Sequence, residues 1–222
     1  MSLSKRLSEI YTFVDNGSNL ADIGADHGQL VIELAKNNKC NKIFCNDNKV
    51  GPFNILKNAI EGNEFSNVTV SLSDGISKLP DYIDAIVIAG MGGDLIIDIL
   101  SKHKEKLNNV ETLILAPNTN EKELRKCVCD LGYKILDEKI IFERHYYEII
   151  KFVKGNVIYN ELDYEFGPIL RKEKNAIFQK KYQETLTKLY NLINKELPKE
   201  KKDEISKKIE RINQLWKQDH CY

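Results

Sequence analysis

Three aspartates near the start of the chain stand where a bound small molecule would meet them. Asp22 and Asp26 bracket Gly24 in Leu20-Ala21-Asp22-Ile23-Gly24-Ala25-Asp26-His27-Gly28, and Asp47 follows 23 residues after that glycine. A dinucleotide turn reads G-x-G-x-x-G, and its second glycine lets the backbone approach a pyrophosphate. Here that place holds Asp26, whose carboxylate would repel one. Acidic groups around an open glycine turn suit a ligand with a cationic amino-acid end and no phosphate. S-adenosylmethionine is the common ligand of that kind. The same letters also suit a bare strand-to-helix connection, with His27 only beginning the helix.

Asp47 ends a second apolar run, Lys42-Ile43-Phe44-Cys45-Asn46-Asp47. Nucleotide-type folds put an acid there to accept both ribose hydroxyls. The alternative is a cap for the next helix, which should begin near Gly51-Pro52 with Pro in its favoured first position. Asp74-Gly75 follows the run Val68–Leu72. Asp74 can accept from an adenine amino group, although Asp-Gly is also a common turn pair. The run Asp84–Ala89 ends in Gly90-Met91-Gly92-Gly93, and Thr112–Ala116 ends in Pro117-Asn118. The cofactor candidates are therefore Asp22, Gly24, Asp26, His27, Gly28, Asp47, Asp74, Gly75, Ala89 and Gly90.

These residues must be positioned by strands and helices in alternation. Strands are predicted at about 19–24, 42–47, 68–72, 84–89 and 112–116, with helices between them near 27–37, from about 51, and near 94–100 and 120–131. The unbroken β-branched run at 84–89 reads as a buried parallel strand. Two further strands, about 132–142 and 145–153, meet at Arg144 and must be antiparallel, because parallel strands need a long crossover. A lead-in helix over 3–14 carries Arg6 on its polar side, able to reach a phosphate or a cofactor carboxylate, or simply solvated. This alternation with a terminal hairpin fits a Rossmann-like class I methyltransferase sheet, an α/β fold, better than a plain nicotinamide fold.

After Gly167-Pro168 the pattern changes. One long helix is predicted over 169–197, stopped by Pro198, and a second over 199–217. Their apolar stripes (Phe178, Tyr182, Leu186 and Ile193 against Ile205, Ile209, Ile212 and Trp216) predict an antiparallel, coiled-coil-like hairpin. The expected domains are 1–155 for the cofactor and 166–222 for the helical appendage. Net charge is zero overall. It divides into −5 over residues 1–150 and +5 over 151–222. A basic appendage on an acidic body is a nucleic-acid footprint or a solvated helix surface.

Composition excludes other classes. No run of 18 apolar residues suggests a membrane span, and the first residues lack the apolar core of a signal peptide. Cys40, Cys45, Cys127, Cys129 and Cys221 fit no zinc spacing. They read as reduced thiols in a cytoplasmic protein without metal. No obligate protein partner is evident.

Taken together, ADIGADHGQL, the GP after the strand-two acid, SDG, IVIAGMGG, LILAPN and YYEII resemble the bacterial tRNA (adenine(22)-N(1))-methyltransferase family over essentially the whole chain. The resemblance implies S-adenosylmethionine as methyl donor, N1 of an adenine in the tRNA D-arm as acceptor, and a helical pair that grips tRNA. Family members more often carry Gln where Ala116 stands. The catalytic candidates are Asp26, Gly90, Met91 and Asn118; the substrate candidates are Arg6, Asn118, Lys180, Lys181 and Lys188. Enzymes acting on the exocyclic amine of adenine carry a D/N-P-P-Y/F acceptor motif after strand four; AGMGG lacks it. Ring N1 already has an in-plane lone pair and needs placement rather than a base. The alternatives are another RNA or a small molecule as acceptor, a nicotinamide oxidoreductase, or a non-catalytic tRNA-binding protein.

Overall fold

A computed structural model describes residues 3–217, which divide into two compact units, one up to residue 159 and one from residue 160 on. Cys221 lies outside the described residues.

The first unit is built on one seven-stranded sheet. Its strands are β1 (Ser18–Ile23), β2 (Cys40–Asp47), β3 (Val68–Leu72), β4 (Ala85–Ala89), β5 (Thr112–Ala116), β6 (Tyr133–Glu143) and β7 (His145–Lys154). Their spatial order is β3-β2-β1-β4-β5-β7-β6. The first five are parallel, and β7 runs antiparallel to both β5 and β6. Chain order reverses between β1 and β4. Both strands therefore release their following loops side by side at the carboxyl edge, where open α/β sheets bind ligands. The central strands are apolar throughout: Leu20, Ala21, Ile23, Ile86, Val87, Ile88, Leu113 and Leu115 are buried.

Helices α1 (Lys5–Phe13), α2 (Gln29–Lys36), α3 (Val50–Glu61), α4 (Gly93–Lys102) and α5 (Glu121–Asp130) flank this sheet. Ser4 caps α1 by accepting from the Leu7 amide. Two further α1 amides, of Lys5 and Arg6, donate to the Glu143 carboxylate from the end of β6, at 2.8 and 3.3 Å. These contacts pin the first helix to the hairpin and fix where Arg6 points. Pro52 is the third helical residue of α3, not the first. It is tolerated there because the first four N–H groups of a helix have no internal partner anyway.

Between α5 and the hairpin lies a buried ionic cluster. Arg125 reaches the Glu138 carboxylate at 2.8 Å and Glu148 at 2.5 Å, and all three residues are within 1% of complete burial. Burial alone would lower the guanidinium pKa; the two carboxylates more than offset it and raise it.

The second unit departs from the predicted pair of helices. It opens with α6 (Glu161–Phe166), which the periodicity did not suggest. Asn160 and Asp163 form a capping box at its start. The single helix predicted over 169–197 is two, α7 (Leu170–Glu173) and α8 (Ala176–Ile193). Lys174 turns left-handed with φ 44°, and the Asn175 side chain accepts from the Phe178 amide to begin α8 afresh. A short polar side chain that caps well competes with continuing the helix. α8 also ends at Ile193, four residues before the predicted end at 197. The last helix, α9 (Lys199–Lys217), packs on α8 through Ile209, Ile212 and Leu215.

Candidate active site

At the carboxyl edge of the parallel strands lies a cavity of about 680 Å³. Asp22, Gly24, Asp26 and His27 line it from the first turn, and Asn46 and Asp47 from the end of β2. Ser73, Asp74 and Gly75 follow β3; Ala89, Gly90 and Met91 follow β4; Arg6 enters from α1. Nine of the ten cofactor candidates thus converge. Gly28 does not line the cavity. It starts α2, and a Cβ there would stand 2.8 Å from Leu56 Cδ1, so the packing leaves no room for a side chain.

Asp22 sits at the floor. It is 6% exposed, and burial pushes its carboxyl up to about 7. A buried carboxylate facing a cavity calls for a cation or a donor to keep it charged. Asp26 is two-thirds exposed and left-handed (φ 48°), with His27 Nε2 3.7 Å from its Oδ2. Four aspartates (Asp22, Asp26, Asp47, Asp74) against Arg6 and Lys49 give the lining an acidic balance.

Two glycines are dictated by the site. Gly24 adopts φ 72°, and a Cβ on it would collide with Met91 Cε. Gly90 adopts φ 80°, and a Cβ there would stand 3.4 Å from Arg6 Nη2. The absence of side chains at both keeps the floor open. Gly93, by contrast, serves packing: its Cβ would meet the Thr119 carbonyl at 2.5 Å.

The residue that organises these loops is Asn46, which the sequence did not single out. It is 1% exposed. Its backbone carbonyl accepts from the amides of Gly24 and Ala25, both at 3.0 Å. Its side-chain amide donates to Ser73 Oγ and the Gly75 carbonyl, both at 2.7 Å. Its side-chain oxygen also accepts from the Gly24 amide at 3.3 Å, so this one residue ties the first turn to the loop after β3. Asn46→Ala is expected to weaken affinity for S-adenosylhomocysteine about tenfold, the scale of one or two lost buried hydrogen bonds. Calorimetry showing unchanged affinity would remove that positioning role.

Asp47 does not cap α3, whose N-cap is Lys49; its Oδ1 accepts from the Lys49 amide at 2.9 Å in the turn before that helix, and the residue lines the cavity. Asp74 is held by Lys102 at 3.2 Å and by Asn48, and the Lys102 contact chiefly keeps its carboxyl below the usual range. Asn118 stands at the edge, not in the lining. Its side-chain amide donates to the Gly90 carbonyl at 2.7 Å, and its backbone amide to Met91 O at 2.8 Å. One N–H of its NH2 group thus fixes the Gly90 loop, which leaves the second N–H and the oxygen to read a base. Tyr147 lies under Arg6, whose guanidinium carbon is 5.0 Å from the ring centroid. Lys180, Lys181 and Lys188 are on α8, in the second unit, and belong to no described part of the cavity.

Among the described residues no His, Cys, Asp and Glu cluster could hold a metal, and no helix is long and apolar enough to cross a membrane. Cys40 and Cys45 are buried in β2 with free thiols; burial raises the Cys45 thiol well above its usual range, helped by the charge of Asp22.

This sheet, with its antiparallel last hairpin and an acidic cleft at the β1–β4 reversal, defines a class I methyltransferase fold. The tRNA (adenine(22)-N(1))-methyltransferase family profile matches residues 20–214. The chain is 33% identical to the tRNA (adenine(22)-N(1))-methyltransferase of Bacillus subtilis, with 97% of each chain covered. A Streptococcus pneumoniae protein superimposes with a TM-score of 0.93 at 33% identity, covering 96% of this chain and 99% of that one. A second structure of it, in complex with S-adenosyl-L-methionine, gives a TM-score of 0.90. M. capricolum TrmK, solved with S-adenosyl-homocysteine, gives 0.87 at 29% identity, covering 96% of this chain and 97% of that one. The chain belongs to the tRNA (adenine(22)-N(1))-methyltransferase family.

Proposed function

We propose that this chain methylates N1 of adenine 22 in the D-arm of tRNA, using S-adenosylmethionine. Family membership supports the reaction. The observation in the molecule itself that carries the cofactor assignment is Asp22, a carboxylate 94% buried at the floor of an acidic cavity.

The residues present fit the cofactor. Asp22, with Asp26 above it, suits the ammonium of the methionine end. Asp47 offers acceptor oxygens for the ribose, and Asp74-Gly75 with Ile99 forms the far wall for the adenine. When bound, the cofactor supplies an electrophilic methyl group on a sulfonium. The protein's task is then placement. Adenine N1 is nucleophilic through its ring lone pair, so no general base is needed before transfer. Gly90 has no side chain to obstruct the acceptor, and Asn118 holds the Gly90 carbonyl in place. Alignment of this kind can supply on the order of 7 kcal/mol of barrier reduction. Methylation leaves the base cationic, and the exposed Asp26 carboxylate in the same lining offers that charge a counter-ion.

Incubating the protein with S-adenosylmethionine and unmodified tRNA is expected to yield 1-methyladenosine at one position, read by mass spectrometry of the digested tRNA. Unmethylated tRNA after full incubation would contradict the function.

The acceptor is buried in a folded arm and must leave its stack to be reached. α8 is proposed to grip the tRNA. Lys180, Lys181 and Lys188 fall within roughly a third of the helix circumference at 100° per residue. Lys180 shares its charge with Glu184 at 4.0 Å. Replacing all three by Gln is expected to weaken tRNA binding and to flatten its salt dependence by up to three phosphate contacts. A salt slope equal to that of the wild type would exclude this helix as the electrostatic contact. The enzyme is proposed to act in the cytoplasm, where tRNA and reduced thiols are found, without an obligate protein partner.

A further inference from the structure

The β6–β7 hairpin is longer than the strand it joins. β7 pairs with β5 only from Ile150 to Val153, whereas β6 and β7 pair with each other out to Glu143 and His145. Because β7 runs antiparallel to β5 and Leu115 pairs with Ile150, residues 145–148 continue past the carboxyl end of β5 at Ala116. They overhang the edge on which the cavity opens. The chain reverses there on Arg144 alone, at φ 63°.

The composition of this overhang is unusual for a strand end in water. Phe142 is 43% exposed, with its ring 4.9 Å from that of Tyr146. Arg144 and His145 are exposed beside it. His145 meets the edge of Tyr147 at 6.4 Å, and Tyr147 carries Arg6 on its face. The acid of the tip, Glu143, is already committed to the amides of Lys5 and Arg6, which hold its carboxyl below the usual range. What remains outward is aromatic and cationic. It is continuous with the cavity through Arg6, whose guanidinium stands against Gly90.

We propose that this overhang is an RNA contact, in which Phe142, Arg144 and His145 hold the unstacked nucleotides next to the acceptor adenine while that base occupies the cleft beside Gly90. The inference rests on the tRNA methylation proposed above and adds a second contact, in the first unit, to the one assigned to α8. Drawing a base out of its stack exposes the faces of its neighbours. Aromatic side chains replace that stacking whatever the base, and a guanidinium can stack as well as pair with a phosphate. A protein partner would find the same apolar ring, but the cationic surroundings and the direct path into the cleft favour a polyanion that enters it.

Two variants test this. Phe142→Ala removes an exposed ring, and Arg144→Gly removes the guanidinium at a φ that glycine adopts freely. For each, the KM for unmodified tRNA, the affinity of tRNA by filter binding and the affinity of S-adenosylhomocysteine by calorimetry are measured. The expected result is a KM and a tRNA dissociation constant raised about tenfold, with S-adenosylhomocysteine binding within twofold of the wild type. Wild-type tRNA values in both variants would overturn the contact, and so would a parallel loss of S-adenosylhomocysteine affinity. Filter binding separates this from the function itself. A wild type that forms no 1-methyladenosine but loses tRNA affinity in both variants would refute the methylation and keep the contact.

Discussion

Asp22→Asn is expected to abolish most cofactor affinity while making the ligand-free protein more stable. Removing the charge that meets a buried ammonium leaves that cation without its partner, a loss of about 2–5 kcal/mol, or at least thirtyfold in affinity. The wild-type affinity should also follow the titration of this one group. Burial holds the Asp22 carboxyl up at about 7 in the free protein. Only its ionised form pairs with an ammonium, so affinity should fall close to tenfold per unit below pH 7 and level off above it. The variant should lose that dependence. The stability effect has the opposite sign. The folded-state pKa lies above the ordinary 3.8. Between those values the native state holds more protons than the unfolded one, and stability falls as pH rises. Above pH 7 the full charge burial is present, on the order of 4 kcal/mol at 1.36 kcal/mol per unit. Asn carries no such charge. The ligand-free variant should therefore melt higher than the wild type at pH 8, by up to about 10 °C, with the gap closing toward pH 4. Equal melting temperatures at pH 8, or a variant that binds S-adenosylhomocysteine like the wild type, would show that Asp22 is not a buried cation seat.

The second large effect is structural. Arg125→Met is expected to destabilise the protein by about 3–5 kcal/mol, because it strands the buried carboxylates of Glu138 and Glu148 without their cation. Thermal or urea unfolding would read this directly. Replacing all three residues together by Met and Leu should recover most of the loss, since well-packed apolar side chains of similar volume commonly substitute for a buried ion cluster. A single variant as stable as the wild type would mean that the carboxylates find water or other donors once the guanidinium is gone. The cluster matters for the site because it fixes β6 and β7, and those strands carry Glu143 and Tyr147 to the helix that presents Arg6.

Much of this was legible in the letters. The first strand, its glycine turn and the acids at 22, 26 and 47 follow from local order, and the structure gathers them in one cavity. The five parallel strands and the final antiparallel pair also follow, because β-branched runs and a one-residue turn leave few pairings open. What stayed hidden depends on contacts between distant segments. Asn46 reads as one polar letter in a strand, and its role appears only when two loops converge on it. Arg125 looks like a helix-surface cation until two strands close over it. The tie from Glu143 to the amides at 5 and 6 spans more than 130 residues, and no local pattern announces it. The break at Lys174 differs in kind. Its signal, Asn175 ahead of Ala-Ile-Phe, was present, but the apolar stripe running through it read more strongly as one helix.

Asn118 teaches a related lesson. Its type suggested base reading, and its position was close. Yet one of its two N–H donors is committed to the Gly90 carbonyl, so the residue also shapes the cleft. Met91 likewise fills the space that the missing Gly24 side chain leaves, and so sets the depth of the floor.

The measurement closest to the centre of this picture is a calorimetric titration of the protein at pH 8 with S-adenosylmethionine and, separately, with NADH. An acidic cleft with a buried carboxylate at its floor should bind the sulfonium cofactor at one site per chain and give no heat with the phosphate-bearing dinucleotide. Binding of NADH with no response to S-adenosylmethionine would contradict it.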